Sequence, residues 1–242
     1  RVTDIADIND SNLRVKEGLI TQVVNYDYSL GRVYDLVEQL EEKQPAKILF
    51  HAITLIGDVM NCQDVSLYRI NDEEYARLFG YTSAKAGTMG HTIYLPDKAP
   101  LYEAFSRQEV YLNRTMNSEY PMMAYCIYEG ERMEMMLLLW SIPFERMTID
   151  ESNRLIVISK LIQKAVKRSA DYLDLLQNQR YQDESPALRE EVFEEIISTY
   201  HEAGEKNLTE YILMQVVSAE AGIEKAGNII GGILRQTDYI GY

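Results

Sequence analysis

The chain has 242 residues, 46% of them hydrophobic and 26% charged, a composition typical of a soluble globular protein with one large or two modest domains. Its net charge of −14 argues against nonspecific nucleic-acid binding, because phosphate contacts need a basic surface. Cys62 and Cys126 are too few and too far apart for a disulfide framework, so we expect a reducing compartment and two buried thiols. No apolar run reaches the roughly eighteen residues that a membrane span needs.

The first part of the chain predicts helices. Residues 1–28 are polar and then more apolar, and we expect an N-terminal helical segment or a linker there. Ser29 is a favourable N-cap residue, and apolar residues recur at helical spacing from there to Leu40. Pro45 then opens a second helix in the first-turn position that proline favours.

Alternating apolar residues replace the helical spacing between residues 65 and 140. The alternation and the turn residues predict these elements: strands at 65–70, 75–81, 92–95, 110–112, 123–128 and 133–140, and a short helix at 101–107. The last two strands flank Glu129-Gly130 and make the clearest hairpin. A long amphipathic helix is predicted after them, over residues 149–178.

A second region begins after a polar break at residues 177–185. Its pattern predicts a helix at 190–203, a nearly continuous apolar strand at 208–217, a helix at 219–234 and a β-like run that reaches Tyr242. The second of these helices contains several glycines, each costing up to about 1 kcal/mol relative to alanine. We therefore expect that helix to depend on packing.

Arg235 and Asp238 stand where that helix meets the last β-like run. A guanidinium offers a planar fork of donors that can grip a phosphate or the acceptor edge of a guanine, and a carboxylate can accept from guanine N–H groups. The same spacing recurs where a surface ion pair or a turn explains it: Arg1/Asp4, Arg32/Asp35, Arg69/Asp72, Arg168/Asp171 and Arg180/Asp183. Only Arg235 follows a strand-then-helix unit, so we select Arg235 and Asp238 as the candidate ligand site. A salt bridge at the helix end is the alternative interpretation.

Other residue types give weaker signals. The three histidines lack the spacing of metal ligands, so we expect no metal site, and we keep only His91, beside Gly90, as a functional candidate. The methionines between residues 122 and 136 are interpreted as core rather than as the lining of a pliable ligand cavity. The chain contains neither a phosphate-binding Walker loop nor a dinucleotide fingerprint.

The order of elements over residues 29–178 resembles a GAF domain: two helices, strands, a short crossover helix, a hairpin and a long closing helix. The resemblance implies a mixed α/β (α+β) fold, in which helices flank a central antiparallel sheet. It also implies homodimerisation through the helices that flank the GAF domain.

Residues 179–242, with Arg235 and Asp238 at a helix–strand junction, resemble the inhibitory site of GGDEF (diguanylate cyclase) domains, which binds cyclic di-GMP. An active cyclase needs a metal-holding carboxylate near the end of its first strand, where this chain has Val217 and Ser218. The substrate-binding helix and the signature loop are also missing from the sequence. We therefore expect a degenerate, apparently incomplete GGDEF-like domain with no catalytic residues, no metal and no cofactor.

A GAF domain followed by a degenerate GGDEF domain resembles the PelD family of cyclic di-GMP receptors. The resemblance implies a cytoplasmic receptor, the soluble part of a membrane protein, that regulates Pel-type exopolysaccharide synthesis and biofilm formation through membrane-embedded partners. It also implies a further ligand-binding arginine that the sequence does not locate. Two alternatives stay open: an active GAF-regulated cyclase whose signature loop is missing from this sequence, and a GAF-based scaffold that dimerises or senses a small molecule.

Overall fold

The computed structural model of the protein describes residues 40–242 with these gaps: Glu73, Glu184, residues 218–222, residues 235–237 and Tyr242. The predicted N-terminal segment at 1–28 and the helix predicted from Ser29 lie outside the described residues. Leu40–Tyr242 form one compact unit.

The helices and strands of this unit have these bounds in chain order: α1 Pro45–Val59, β1 Val65–Ile70, β2 Tyr75–Tyr81, β3 Thr92–Tyr94, α2 Ala99–Ser106, β4 Tyr111–Leu112, β5 Met123–Glu129, β6 Arg132–Leu139, α3 Ile149–Leu175, α4 Gln177–Arg180, α5 Glu190–Glu205 and α6 Ile223–Gly231. The elements predicted between Pro45 and Leu175 are therefore present within a few residues of their expected bounds. No helix among the described residues is both long and apolar enough to cross a membrane.

The six strands form one antiparallel sheet in the order β3-β2-β1-β6-β5-β4. Helices α1 and α3 pack on one face, where α1 contacts β1 and β2, and α3 contacts β5. The other face, under α2, carries a cluster of buried side chains: Tyr68, Ala76, Ala86, Ile93, Leu95, Leu101, Phe105, Ala124, Cys126, Met136, Leu138 and Trp140. This mixed α+β architecture confirms the predicted sheet between helices and is consistent with a GAF domain.

The central strand β6 is buried on both faces. Met136, Leu137 and Leu138 are all 0% exposed, because the strand lies between the α1/α3 layer and the cluster under α2. The buried Trp140 that follows donates from Nε1 to Ser66 Oγ at 3.0 Å, which satisfies both polar groups inside the core. Gly130 in the β5–β6 turn has φ of +62°, a conformation that glycine adopts without steric cost.

Helix α3 starts at a well-defined cap. The Thr148 side chain accepts from the Glu151 backbone N–H at 3.2 Å. Arg146, just before it, forms a 2.7 Å ion pair with Glu151 and donates to the Met60 carbonyl at 2.9 Å. These contacts hold the start of α3 against the end of α1.

The apolar run at 208–217, predicted as a buried strand, forms no strand ladder, and that prediction is wrong. The first part of the run, up to Tyr211, is held: the Tyr81 amide donates to the Leu208 carbonyl at 2.8 Å, Thr209 Oγ1 donates to the Phe79 carbonyl at 3.1 Å, and the Tyr211 hydroxyl lies 3.1 Å from His201 Nδ1. The side chains that follow are largely exposed: Ile212 86%, Leu213 61%, Met214 80%, Val216 67% and Val217 84%. A strand needs a neighbour to satisfy its backbone groups, and the described residues supply none for this run.

Helix α6 ends at Gly231, before the predicted end at Leu234, and two of its glycines face a turn. A Cβ on Gly227 would come within 2.6 Å of Ser185 Oγ, and a Cβ on Gly231 would come within 2.5 Å of Pro186 Cγ. Glycine therefore lets α6 approach this turn closely, and packing explains part of the glycine content, as expected for this helix. The assignment of residues 179–242 to a GGDEF-like domain stays a prediction.

Candidate functional site

The described end of the chain lies beside α5. The Leu188 N–H donates to the Ile240 carbonyl at 2.8 Å, and Leu188 and Gly241 form a parallel bridge. A Cβ on Gly241 would overlap the Phe193 side chain of α5, so a glycine is required for this approach. These contacts fix residues 238–241, the C-terminal segment, which contains one of the two predicted ligand-binding residues.

Tyr200 of α5 is the centre of an aromatic cluster that joins the C-terminal segment to the sheet. Its ring centroid lies close to those of four other rings: Phe50 at 5.5 Å, Phe79 at 6.5 Å, Tyr211 at 6.2 Å and Tyr239 at 6.1 Å. The contact with Tyr239 is edge-to-face, a geometry that aromatic pairs favour. Tyr239 remains 40% exposed, so part of its ring is accessible to a ligand.

Two opposite charges act on the Tyr200 hydroxyl. Burial is the main cause that raises the pKa of Tyr200, and the neighbouring Tyr239 and the Asp238 carboxylate raise it further. The Arg69 guanidinium acts in the opposite direction.

A cavity of about 380 Å³ opens beside Arg69 and Tyr239. Its walls come from α1, the ends of β1 and β6, and the C-terminal half of α3. This volume lies within the range of about 300–1,000 Å³ found for small-molecule sites. The cavity differs from the face of the sheet under α2, where packed side chains occupy the interior.

The far rim of the cavity carries an ion-pair cluster. Arg132 lies 3.0 Å from each of Asp72, Glu129 and Glu134, and Lys167 lies 3.6 Å from Glu129. Hydrogen bonding to Asp72 and the charge of Glu134 raise the pKa of Arg132. This rim has its cations already paired with carboxylates, so it is a poor place for an anionic ligand.

Of the two predicted site residues, the structure describes one. Asp238 is described and exposed, whereas Arg235 lies outside the described residues. Arg69 and Asp72, another copy of the same spacing, do line the cavity, although Asp72 is bound by Arg132 and not by Arg69. Arg168, in a further copy, donates to the Leu40 carbonyl at 2.9 Å.

The remaining candidates have structural contacts. The His91 carbonyl accepts from the Leu78 N–H at 2.9 Å, and among the described residues no group of histidine, cysteine and acidic side chains could hold a metal ion. Met123 and Met136 are 0% exposed and belong to the core. Cys62 and Cys126 are both buried, as predicted.

Arg69, Tyr200 and Tyr239 are not among the ligand-binding residues predicted from the sequence. A signal for Arg69 was available: in the alternation of β1, Tyr68 and Ile70 point to one face, so Arg69 points to the face that helices cover. No comparable signal exists for Tyr200 and Tyr239, because their contact joins a helix to a segment almost forty residues further along the chain.

No protein-family model and no curated protein matches the chain. Similar solved structures include the GAF domain of Acinetobacter phosphoenolpyruvate-protein phosphotransferase, with 10% identity, a TM-score of 0.49 and coverage of 61% of this chain and 98% of that one. PelD of Pseudomonas aeruginosa PAO1 gives 13% identity and a TM-score of 0.45, with 57% of this chain and 49% of that one covered. PelD of Pseudomonas aeruginosa PA14, in complex with c-di-GMP, gives 12% identity and a TM-score of 0.45, with 56% of this chain and 49% of that one covered. The chain spans about half the length of these PelD chains, and all of these similarities are distant.

Proposed function

We propose that this protein is a receptor for cyclic di-GMP, in which Arg235 and Asp238 bind the dinucleotide. One observation carries the proposal: Tyr239, the neighbour of Asp238 in the chain, lines a cavity of ligand size together with Arg69. A carboxylate, accessible aromatic surface and a guanidinium therefore occur together at one place.

Each group suits a different part of the dinucleotide. A carboxylate accepts hydrogen bonds from guanine N–H groups, and an exposed tyrosine ring offers a surface on which a base can stack. Guanidinium groups bind phosphodiester oxygens through paired N–H donors. The net charge of −14 does not oppose this, since a small anion needs only a local positive group.

The wider role follows from the resemblance to the PelD family. We propose a cytoplasmic GAF domain followed by a degenerate GGDEF-like region that regulates Pel-type exopolysaccharide synthesis and biofilm formation. Ligand binding would act through membrane-embedded synthesis proteins, and the GAF-flanking helices would form a homodimer.

Calorimetry with cyclic di-GMP at one fixed salt concentration tests the site. A charge-assisted hydrogen bond is worth roughly 1.5–3 kcal/mol, so Arg235→Ala should lower affinity about ten- to a hundredfold. Asp238→Asn should also weaken binding, because the amide presents donors where guanine also has donors. Arg180→Ala, in another copy of the spacing, is the matched control and should bind like the wild type. Equal affinity for the wild type and Arg235→Ala would refute the site.

We further propose that the protein has no diguanylate cyclase activity. The support is the sequence at Val217 and Ser218, which lacks the carboxylate that would hold a catalytic metal. Incubation with GTP and magnesium or manganese should give no cyclic di-GMP above a blank without protein. Turnover would favour the alternative of an active GAF-regulated cyclase, and a wild type that binds no dinucleotide would favour the GAF-based scaffold.

A further inference from the structure

Two arginines face each other across β1 and β2. In the antiparallel pairing of these strands, Arg69 lies directly opposite Arg77. Directly opposite residues project from the same face of a sheet, with Cβ atoms about 4.5–5.5 Å apart. The next pair along, Ile70 and Ala76, belongs to or packs against the cluster under α2, so the arginine pair projects from the opposite face.

Among the described residues, neither of these guanidinium groups forms an ion pair. Both residues are half-buried, and among the described residues neither side chain has a hydrogen-bond or ion-pair partner. Several other arginines have acceptors: Arg132 at Asp72, Glu129 and Glu134, Arg146 at Glu151, Arg168 at the Leu40 carbonyl, and Arg189 at Asp183. Arg107 and Arg114 have none among the described residues, but both are exposed to solvent. Half-buried like charges placed directly opposite each other destabilise a sheet, so a bound anion would relieve a real cost.

Carboxylates also lie near this arginine pair. Asp72, at the end of β1, is bound by Arg132. Asp171 and Asp174 of α3 line the same cavity as Arg69. The positive charge of Arg69 and Arg77 is therefore local to their own position on this face, where Arg69 and Tyr239 line the cavity.

We propose that Arg69 and Arg77 form a phosphate-binding site on the helix-covered face of the sheet, and that its occupant is a phosphodiester of cyclic di-GMP. The identity of this occupant rests on the proposed function. The paired forks supply phosphate contacts that the Asp238 carboxylate cannot make. Tyr239 lies at the same cavity and offers ring surface to a base.

The test uses the whole 242-residue protein as wild type, Arg69→Gln and Arg77→Gln, with Arg114→Gln as a control in an exposed loop. Thermal unfolding is measured in sodium phosphate and in sodium chloride at equal ionic strength. Binding to the native state raises the midpoint, so phosphate should stabilise the wild type and Arg114→Gln more than either site variant. The general salting-out effect of phosphate is common to all four proteins and cancels in this comparison.

Calorimetry with cyclic di-GMP is the second readout. Each site variant should bind about ten- to a hundredfold more weakly than the wild type, while Arg114→Gln should bind equally. In chloride, Arg77→Gln should unfold at the same temperature as the wild type or higher, because a like-charge contact has been removed. A loss of affinity in a folded variant therefore reports on the site.

The outcomes separate this inference from the proposed function. If the wild type and both site variants bind cyclic di-GMP equally and phosphate stabilises them equally, the arginine site is wrong and the receptor proposal stands. If the wild type binds no cyclic di-GMP, but phosphate stabilisation is still lost in both variants, the receptor proposal is wrong and the anion site stands. If a glutamine variant does not fold, Arg69→Lys and Arg77→Lys replace it, because lysine keeps the charge but lacks the two parallel N–H donors of a guanidinium. Wild-type affinity for cyclic di-GMP in the lysine variants would contradict the arginine site, and weakened affinity would support it.

Discussion

Tyr239 meets the edge of Tyr200 with ring centroids 6.1 Å apart and ring planes at 61°. This contact connects the C-terminal segment to α5, and through Phe50 and Phe79 it connects the segment to α1 and the sheet. The position of Asp238 relative to Arg69 therefore depends on an aromatic contact made by the next residue in the chain.

Tyr239→Ala should loosen the C-terminal segment. An aromatic pair contributes about 0.5–1.5 kcal/mol, so the free energy of unfolding should fall by about 1 kcal/mol in chemical denaturation. The Leu188 amide, which donates to Ile240, should exchange its hydrogen faster. Tyr94→Ala is the matched control, because Tyr94 is also 40% exposed and pairs with Tyr75 at 5.0 Å. Unchanged exchange at Leu188 in Tyr239→Ala would show that the aromatic contact does not hold the segment.

Gly241→Ala should displace the same segment for a steric reason. The new Cβ would overlap the Phe193 side chain, and overpacking of this kind costs typically about 1–3 kcal/mol. Gly232→Ala is the control, since a Cβ there would lie 3.6 Å from the Ile229 carbonyl oxygen, an ordinary contact. In urea unfolding, the free energy of unfolding should fall for Gly241→Ala, and it should change little or rise slightly for Gly232→Ala. A Gly241→Ala protein as stable as the wild type would contradict the docked position of the segment.

Glu134→Gln should change the dependence of stability on pH. Burial, and then the Glu129 carboxylate, raise the pKa of Glu134 above its usual range, although Arg132 opposes this. A raised folded-state pKa contributes stability that is present below the unfolded-state pKa and is lost as pH rises through the folded-state pKa. The free energy of unfolding of the variant, measured by urea titration, should therefore rise relative to that of the wild type as the pH is raised from acidic to neutral.

The control for that titration is Glu131→Gln, which removes one charge from the exposed turn of the same hairpin. Subtracting its profile corrects for the change in net charge. A difference between Glu134→Gln and the wild type that stays constant from acidic to neutral pH would contradict the raised pKa of Glu134.

Leu213→Lys should reduce self-association. Leu213 lies in the exposed apolar run that follows Thr209, and such runs with unpaired backbone groups favour association between chains. Static light scattering should show less association for the variant, with stability within about 0.5 kcal/mol of the wild type. Met116→Lys, at a loop methionine that is 57% exposed, introduces the same charge and should have a smaller effect. Equal effects would mean that net charge alone controls association.

The sheet domain was predictable because its local signals agree with its tertiary contacts. The alternation in β1 and β2, and the turn at Gly130, specify strands that do find neighbours in one sheet. The helix that follows Thr148 and the helix Glu190–Glu205 carry apolar faces that are buried in the structure. In these elements, periodicity alone was sufficient because burial and pairing follow the same period.

The apolar run after Leu208 shows where local signals fail. Its sequence favours a strand as strongly as β6 does, but strand formation requires a partner, and pairing is a property of the whole fold. The described residues place no strand beside the run, and the side chains from Ile212 to Val217 that are apolar stay largely exposed.

The sequence by itself determined which residues form the strands and helices between Pro45 and Leu175, whereas the ligand site at Arg235 and Asp238 stays a prediction. Only the tertiary structure decided what surrounds Asp238. The contact of Tyr239 with Tyr200 and the pairing of Arg69 with Arg77 join residues that are distant in the chain or on separate strands. Local periodicity reports which face a side chain occupies, but packing and strand register decide which side chains share that face.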